Sequence, residues 1–318
     1  MINKTWLIIK REYITRVRNK TFIISTFLTP LFFVGLITAI TYMTPKDQRK
    51  NDIPEIVQKN TDMKEKSGVA YATGYITSFL IYITILIYGM MVMRGVSEEK
   101  NNRIAEIIIS SVKPFQLMMG KIIGIGAVGL TQFFMWIILG IIFILVMFNF
   151  LPADIIHEAG RQQSQGIGFD TSGINFPLII FCFMFYFIFG YLFYASLFAA
   201  VGSAISEDSQ DTQSLMMPVT MPIVLAIVIM MNIIMHPAGK TAVWTSMVPF
   251  FSPIVMMARI PFGVPVTVPW WQLGLSMALL AGGFLFTTWL SAKIYRTGIL
   301  LYGKKITWKE MWKWTLRS

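Results

Sequence analysis

Six long apolar runs, separated by short polar ones, set the pattern of this chain: about residues 21–43, 71–93, 122–148, 177–204, 215–235 and 270–294. Each reaches the ~20 residues that a helix needs to cross a bilayer core. The pattern predicts an all-α polytopic membrane protein with six transmembrane helices spread over residues 21–294. Pro30 is placed to kink the first span, and Pro218 and Pro222 to bend the fifth. Residues 44–70 are polar and of mixed charge, and read as a short extracytoplasmic segment. Residues 236–269 are apolar but interrupted by six prolines, so no straight span fits. Irregular backbone at membrane depth is tolerated against protein or a water-filled cavity, and short re-entrant helices packed on the bundle are expected there. Both ends are amphipathic. Residues 1–20 mix basic residues with Trp6, Ile8, Ile9 and Tyr13 as an interfacial helix does, and the tail 295–318 interleaves lysines with Trp308, Trp312 and Trp314.

The polar break at residues 94–121 has an internal design. Ser97 is a helix cap candidate, with Glu98 and Glu99 in the first turn, where acids suit the helix dipole. Glu99, Arg103 and Glu106 follow at spacings of four and three, so one helical face can carry all three. Ile104, Ile107, Ile108 and Val112 fall on another face, and Pro114 stops the helix at about Lys113. A short amphipathic helix over 97–113 is expected, lying beside the membrane with a charged face free.

Composition sharpens this. Apolar residues make up 55% of the 318 and charged residues 14%, against ~25% charged in soluble domains. The net charge of +11 raises nucleic acid as a partner. Its distribution answers differently. Six spans put both termini on one side, with eighteen of the lysines and arginines; nine lie on the other. By the positive-inside rule the richer side is cytoplasmic, so the charge is mainly a topology signal and no nucleic acid is implied. The break at 94–121 and the acidic turn with Glu207, Asp208 and Asp211 both face the cytoplasm on this reading. Cys182 is the sole cysteine and forms no internal disulfide.

Most chemical motifs fail on context. Gly124, Gly126 and Gly129 match G-x-G-x-x-G, but inside a span and without a following acid. Gly120 and Gly124 read better as a close-packing G-x-x-x-G face. Gly239-Lys240-Thr241 ends like a phosphate loop, but Ile234 stands where its first glycine belongs. No ATP site is expected in the chain. His157 and His236 have no histidine or cysteine nearby, so no metal site is expected. Glu98-Glu99-x-x-x-Arg103 resembles the signature of CAAX-type intramembrane proteases. That chemistry needs carboxylate and histidine together, and both histidines fall in outer segments, so no catalytic residue is assigned. Arg259, within an apolar stretch, is expected to snorkel to an interface.

Val96-Ser-Glu-Glu-Lys-Asn-Asn-Arg103-Ile-Ala-Glu106, with Ser110 to Lys121 around Pro114, Gln116 and Gly120, resembles the cytoplasmic signature of type-2 ABC exporter permeases. It is especially similar to the NatB-like, sodium-efflux-type branch. The resemblance implies a transmembrane permease subunit that dimerises with an identical or related permease and binds a separate cytoplasmic ABC ATPase. ATP and magnesium are then bound by that partner, and this chain needs no cofactor of its own. It implies that residues 97–113 act as a coupling helix, with Glu98, Glu99, Arg103, Glu106 and Pro114 at the contact and Glu207, Asp208 and Asp211 as a second contact. It also implies a multi-pass exporter of the cell membrane, with sodium as the cargo suggested by that branch; lipid, drug or peptide is equally compatible with the apolar spans. Proteins of that branch carry a folded domain between spans one and two, for which residues 44–70 are too few. Two other readings stand beside it: a membrane-embedded glutamic-type protease, and a non-transporting scaffold that recruits an ATPase through the same helix.

Overall fold

A computed structural model describes residues 4–28, 30–31, 55–150, 175–205, 209–301 and 307–316. Every element among these residues is helical. Five helices are long and apolar enough to cross a membrane: Ala70–Asn101, Pro114–Phe143, Phe176–Ala204, Thr212–Met235 and Trp270–Gly298. They fall on five of the six runs read from the sequence. The run at 21–43 lies largely outside the described residues, of which 20–28 and 30–31 are helical. The protein is a multi-pass membrane protein, all-helical among the described residues.

In chain order the helices are α1 (Lys4–Val17), α2 (Glu55–Asn101), α3 (Ile104–Ile109), α4 (Pro114–Phe150), α5 (Phe176–Ala204), α6 (Ser209–Met235), α7 (Lys240–Met247), α8 (Ser252–Arg259), α9 (Trp270–Gly298) and α10 (Trp308–Leu316). Two departures from the sequence reading concern α2. It begins at Glu55, so half of the segment expected as an outer loop is helix. Polarity alone does not end a helix, and Glu, Lys, Gln and Met are good helix formers. At its other end α2 runs through Ser97, Glu98 and Glu99 to Asn101, so Ser97 caps nothing.

The chain forms two compact units. One contains residues 14–69 and 128–173. Within it, Phe134, Ile137, Ile138, Ile141, Ile142 and Leu145 make an exposed apolar face on α4 at helical spacing, as a lipid-facing helix requires. The other unit contains residues 1–13, 70–127 and 174–318, and holds the sites described below.

In that larger unit, α9 packs chiefly along α5. Asn175 starts α5 by accepting a hydrogen bond from the Leu178 N–H at 3.2 Å, with Pro177 in the first turn. Pro218 and Pro222 lie inside α6, which continues through both. The proline-rich stretch becomes α7, α8 and a single 3₁₀ turn at Ile260–Phe262. Helix α8 is buried along its whole length. It lies so close to α2 that a Cβ on Gly74 would stand 2.8 Å from the Ala258 carbonyl oxygen, and Ser78 Oγ donates to the Ile254 carbonyl at 2.8 Å. Ile233 of α6, Ala242 of α7 and Val255 of α8 close a small apolar core.

Arg259, at the end of α8, does not snorkel. It is wholly buried and donates to the Pro237 carbonyl (2.8 Å), Ser246 Oγ (2.6 Å) and Gln272 Oε1 (3.0 Å). The network continues as Ser276 Oγ donates to the Ser246 carbonyl and Tyr186 OH to Ser276 Oγ. A planar guanidinium satisfies three fixed acceptors at once, so enclosure becomes tolerable without a path to water. Burial lowers its pKa from the ordinary guanidinium range to about 10, which leaves it charged at neutral pH.

Candidate functional site

The polar signature between α2 and α4 does not form one helix. Arg103 takes a left-handed backbone conformation, φ 55° and ψ 12°, and ends the helical run of α2. Such a conformation is uncommon for a side chain other than Gly, Asn or Asp, and costs on the order of 1 kcal/mol. Only six residues, Ile104–Ile109, then form α3, and turns lead to Pro114. Pro114 does not stop the preceding helix; it opens α4, where its missing N–H costs nothing.

The break parts residues that helical spacing had grouped. Arg103 and Glu106 are exposed, as is Ile107. Glu99 is buried in the last turn of α2. Its carboxylate lies 3.1 Å from Lys121 Nζ, off the alignment of a hydrogen bond, and 4.0 Å from the largely exposed Arg11 guanidinium. Lys121 is 1% exposed and also meets Glu12 Oε1 at 3.3 Å and the Gly95 carbonyl at 3.0 Å. One ammonium thus joins α1, α2 and α4. Two carboxylates and a carbonyl repay its desolvation, which one exposed partner could not.

Glycines allow this approach. A Cβ on Gly120 would stand 2.8 Å from Ile8 Cγ2; one on Gly124 would stand 2.8 Å from Glu12 Cβ and 3.1 Å from the Ile9 carbonyl oxygen. The G-x-x-x-G face of α4 is therefore the seat of α1. Gly126, read in the dinucleotide-like motif, faces Tyr191 of α5, whose hydroxyl donates to the Ile122 carbonyl at 2.8 Å. Nearby, Lys4 Nζ donates to the Ser111 carbonyl at 2.6 Å, fastening α1 to the turn after α3. Lys100 Nζ donates to the Ser203 carbonyl at 2.6 Å, a cation at the C-terminal end of α5, where the helix dipole favours one.

Glu98 points away from its neighbour Glu99. With Arg94, Ser97 and Asn101 it rims a cleft of about 250 Å³ where the ends of α2, α5 and α6 meet, walled by Met93, Ile205, Thr212 and Met216. The protease reading fits this geometry poorly. Thr212, near the start of α6, lines the cleft, whereas His236 follows that helix at its other end, roughly 36 Å away at 1.5 Å per residue. Glu207 and Asp208 lie outside the described residues, as does His157; Asp211 is on α6, with its side chain not described. Among the described residues no three histidines, cysteines or carboxylates gather as metal ligands.

Glu12 escaped the sequence reading. The signal was present: it is the only acid in residues 1–20, and Lys121 is a lone cation at the edge of an apolar run. Nothing in the spacing pairs them, since over a hundred residues separate the two.

A sequence-family model described as "ABC-2 family transporter protein" matches residues 54–293. The chain is 29% identical over 255 residues to "Uncharacterized protein YhaP" of Bacillus subtilis (strain 168), covering 80% of this chain and 58% of that one. It is 28% identical over 115 residues to "Uncharacterized protein MJ1024" of Methanocaldococcus jannaschii, covering 36% of this chain and 28% of that one. The chain thus spans under two thirds of the length of each relative. No solved structure matches it.

Proposed function

This chain belongs to the ABC-2 family of transporter proteins, and from that premise we propose that it is the membrane permease half of an ATP-driven exporter. A separate cytoplasmic ABC ATPase binds ATP and magnesium, and a second permease, identical or related, completes the transport path. Both termini and the break at residues 102–113 face the cytoplasm, at the inner or plasma membrane. The observation that carries this reading is the break itself. It exposes Arg103, Glu106 and Ile107 at the joint between two spans, while Lys121, Glu99 and Glu12 brace it from within. A push on an exposed segment so braced passes into α2 and α4 instead of being lost in a loop. Glu99 serves this coupling from inside, as a positioning residue, and Arg103 and Glu106 serve it from the surface.

The cargo stays broad. Sodium follows from the resemblance to the sodium-efflux branch; lipid, drug or peptide suits the apolar spans equally.

The test is purification from native membranes, identification of a co-purifying ATPase, and measurement of ATP-dependent export in proteoliposomes. Arg103→Glu and Glu106→Lys are expected to release the ATPase or abolish export while the permease stays folded. Normal export by Arg103→Glu sinks the coupling role. An ATPase that binds but drives no transport favours the scaffold reading.

A further inference from the structure

The cleft at the joined ends of α2, α5 and α6 has an unused pair of charges. Arg94 and Glu98 stand one helical turn apart, ~6 Å between Cβ atoms, and both are exposed on the cleft rim. Their side chains do not pair with each other, and neither side chain makes an ion pair or hydrogen bond with another described residue. Their setting is specific: Met93, Ile205 and Met216 line the same cleft with apolar surface.

We infer that this cleft binds the headgroup of a zwitterionic phospholipid carrying a phosphate and a primary ammonium, as phosphatidylethanolamine does. Arg94 takes the phosphate, which suits a guanidinium fork. Glu98 takes the ammonium, whose N–H groups donate to a carboxylate. A choline headgroup has no N–H to donate, and a glycerol headgroup has no positive charge, so the pair discriminates against both.

Size and position agree with a lipid. A pocket that encloses a drug-sized ligand measures ~300–1,000 Å³; at about 250 Å³ this cleft takes a headgroup and leaves acyl chains outside. It lies at the ends of three candidate spans, the level of a headgroup layer. Next to Met216 an exposed apolar stripe begins on α6, Met217, Met221, Val224, Leu225 and Val228, at the helical spacing of one face, and leads from the cleft along the span. Headgroup in the cleft and chains along that stripe satisfy both halves of the molecule.

The experiment is native mass spectrometry of the delipidated full-length permease, titrated separately with phosphatidylethanolamine, phosphatidylglycerol and phosphatidylcholine. Phosphatidylethanolamine is expected to be retained about three- to tenfold more than either of the others, the range of one or two partly exposed charged contacts. Glu98→Gln should bring phosphatidylethanolamine down to the level of phosphatidylglycerol, Arg94→Gln should lower all three, and Lys240→Gln, exposed beyond the far end of α6, should leave lipid retention unchanged. Equal retention of the three lipids overturns the proposal, as does a preference that survives Glu98→Gln. Competition by water-soluble glycerophosphoethanolamine at equal concentration overturns the role of the apolar lining and stripe. All variants are at exposed positions, and their unfolding temperatures check that they fold. No ATPase enters the assay, so the cleft and the exporter reading stand or fall separately.

Discussion

Lys121 and Arg259 are both buried cations, held in opposite ways. Lys121 lies between two carboxylates and a carbonyl and ties α1, α2 and α4 together. Arg259 has only neutral oxygens as hydrogen-bond partners, one from the turn after α6, one from α7 and one from α9. The difference follows from the side chains. An ammonium is a compact charge that needs opposite charge when desolvated; a guanidinium spreads its charge over a planar fork that carbonyl, hydroxyl and amide can share. The first arrangement can be altered by a change of charge at its edge, where Arg11 and Glu99 approach. The second is closed, and suits a fixed frame behind α8.

The largest break in this comparison is Lys121→Met. It leaves Glu12 and Glu99 buried without their shared counter-charge, and about 3–5 kcal/mol of stability should be lost. Denaturant unfolding in detergent measures it. Adding Glu12→Gln and Glu99→Gln should restore much of the loss, because the cost lies in the stranded charges; no recovery would assign it to packing.

Arg259→Met removes a donor from three acceptors, and about 2–3 kcal/mol should be lost by the same measurement. Here a compensating change of charge should restore nothing, since no carboxylate is among its hydrogen-bond partners. Recovery with Gln272→Glu and Arg259→Lys together, to the wild-type level, would contradict the neutral-network account.

Gly124→Ala places a methyl 2.8 Å from Glu12 Cβ and 3.1 Å from the Ile9 carbonyl. Part of that contact is backbone, so α1 has to move, at about 1 kcal/mol. Proteolysis near α1 should quicken. The same substitution at Gly140, where a Cβ meets nothing within 4 Å, should leave stability unchanged or slightly raised.

The smallest effects belong to Arg103→Glu and Glu106→Lys, within about 0.5 kcal/mol of wild type because both side chains are exposed. Their proposed consequence is functional, and a large loss of stability in either would show that the surface of the break is structural after all.

The candidate site was legible in part. Its location was, because a polar stretch between two apolar runs is visible in any window of the sequence. Its partition was not. Glu99, Arg103 and Glu106 look equivalent at helical spacing, and only the left-handed backbone at Arg103 separates a buried acid from two exposed charges. Arg259 misled for a similar reason. A lone cation in an apolar stretch is ordinarily led to water, and the oxygens that remove that need come from three separate segments.

By itself the sequence determined an all-helical membrane protein, five spans of it now described, and the place of the signature. Those follow from hydropathy and length, which each segment carries alone. Tertiary structure decided that α1 sits on Gly120 and Gly124, that Glu12 and Glu99 share Lys121, that α8 is core, and that Arg94 and Glu98 rim a cleft. Those are matters of which helices meet and at what rotation. In a chain whose spans are apolar on nearly every side, periodicity within one helix does not say which face another helix will cover.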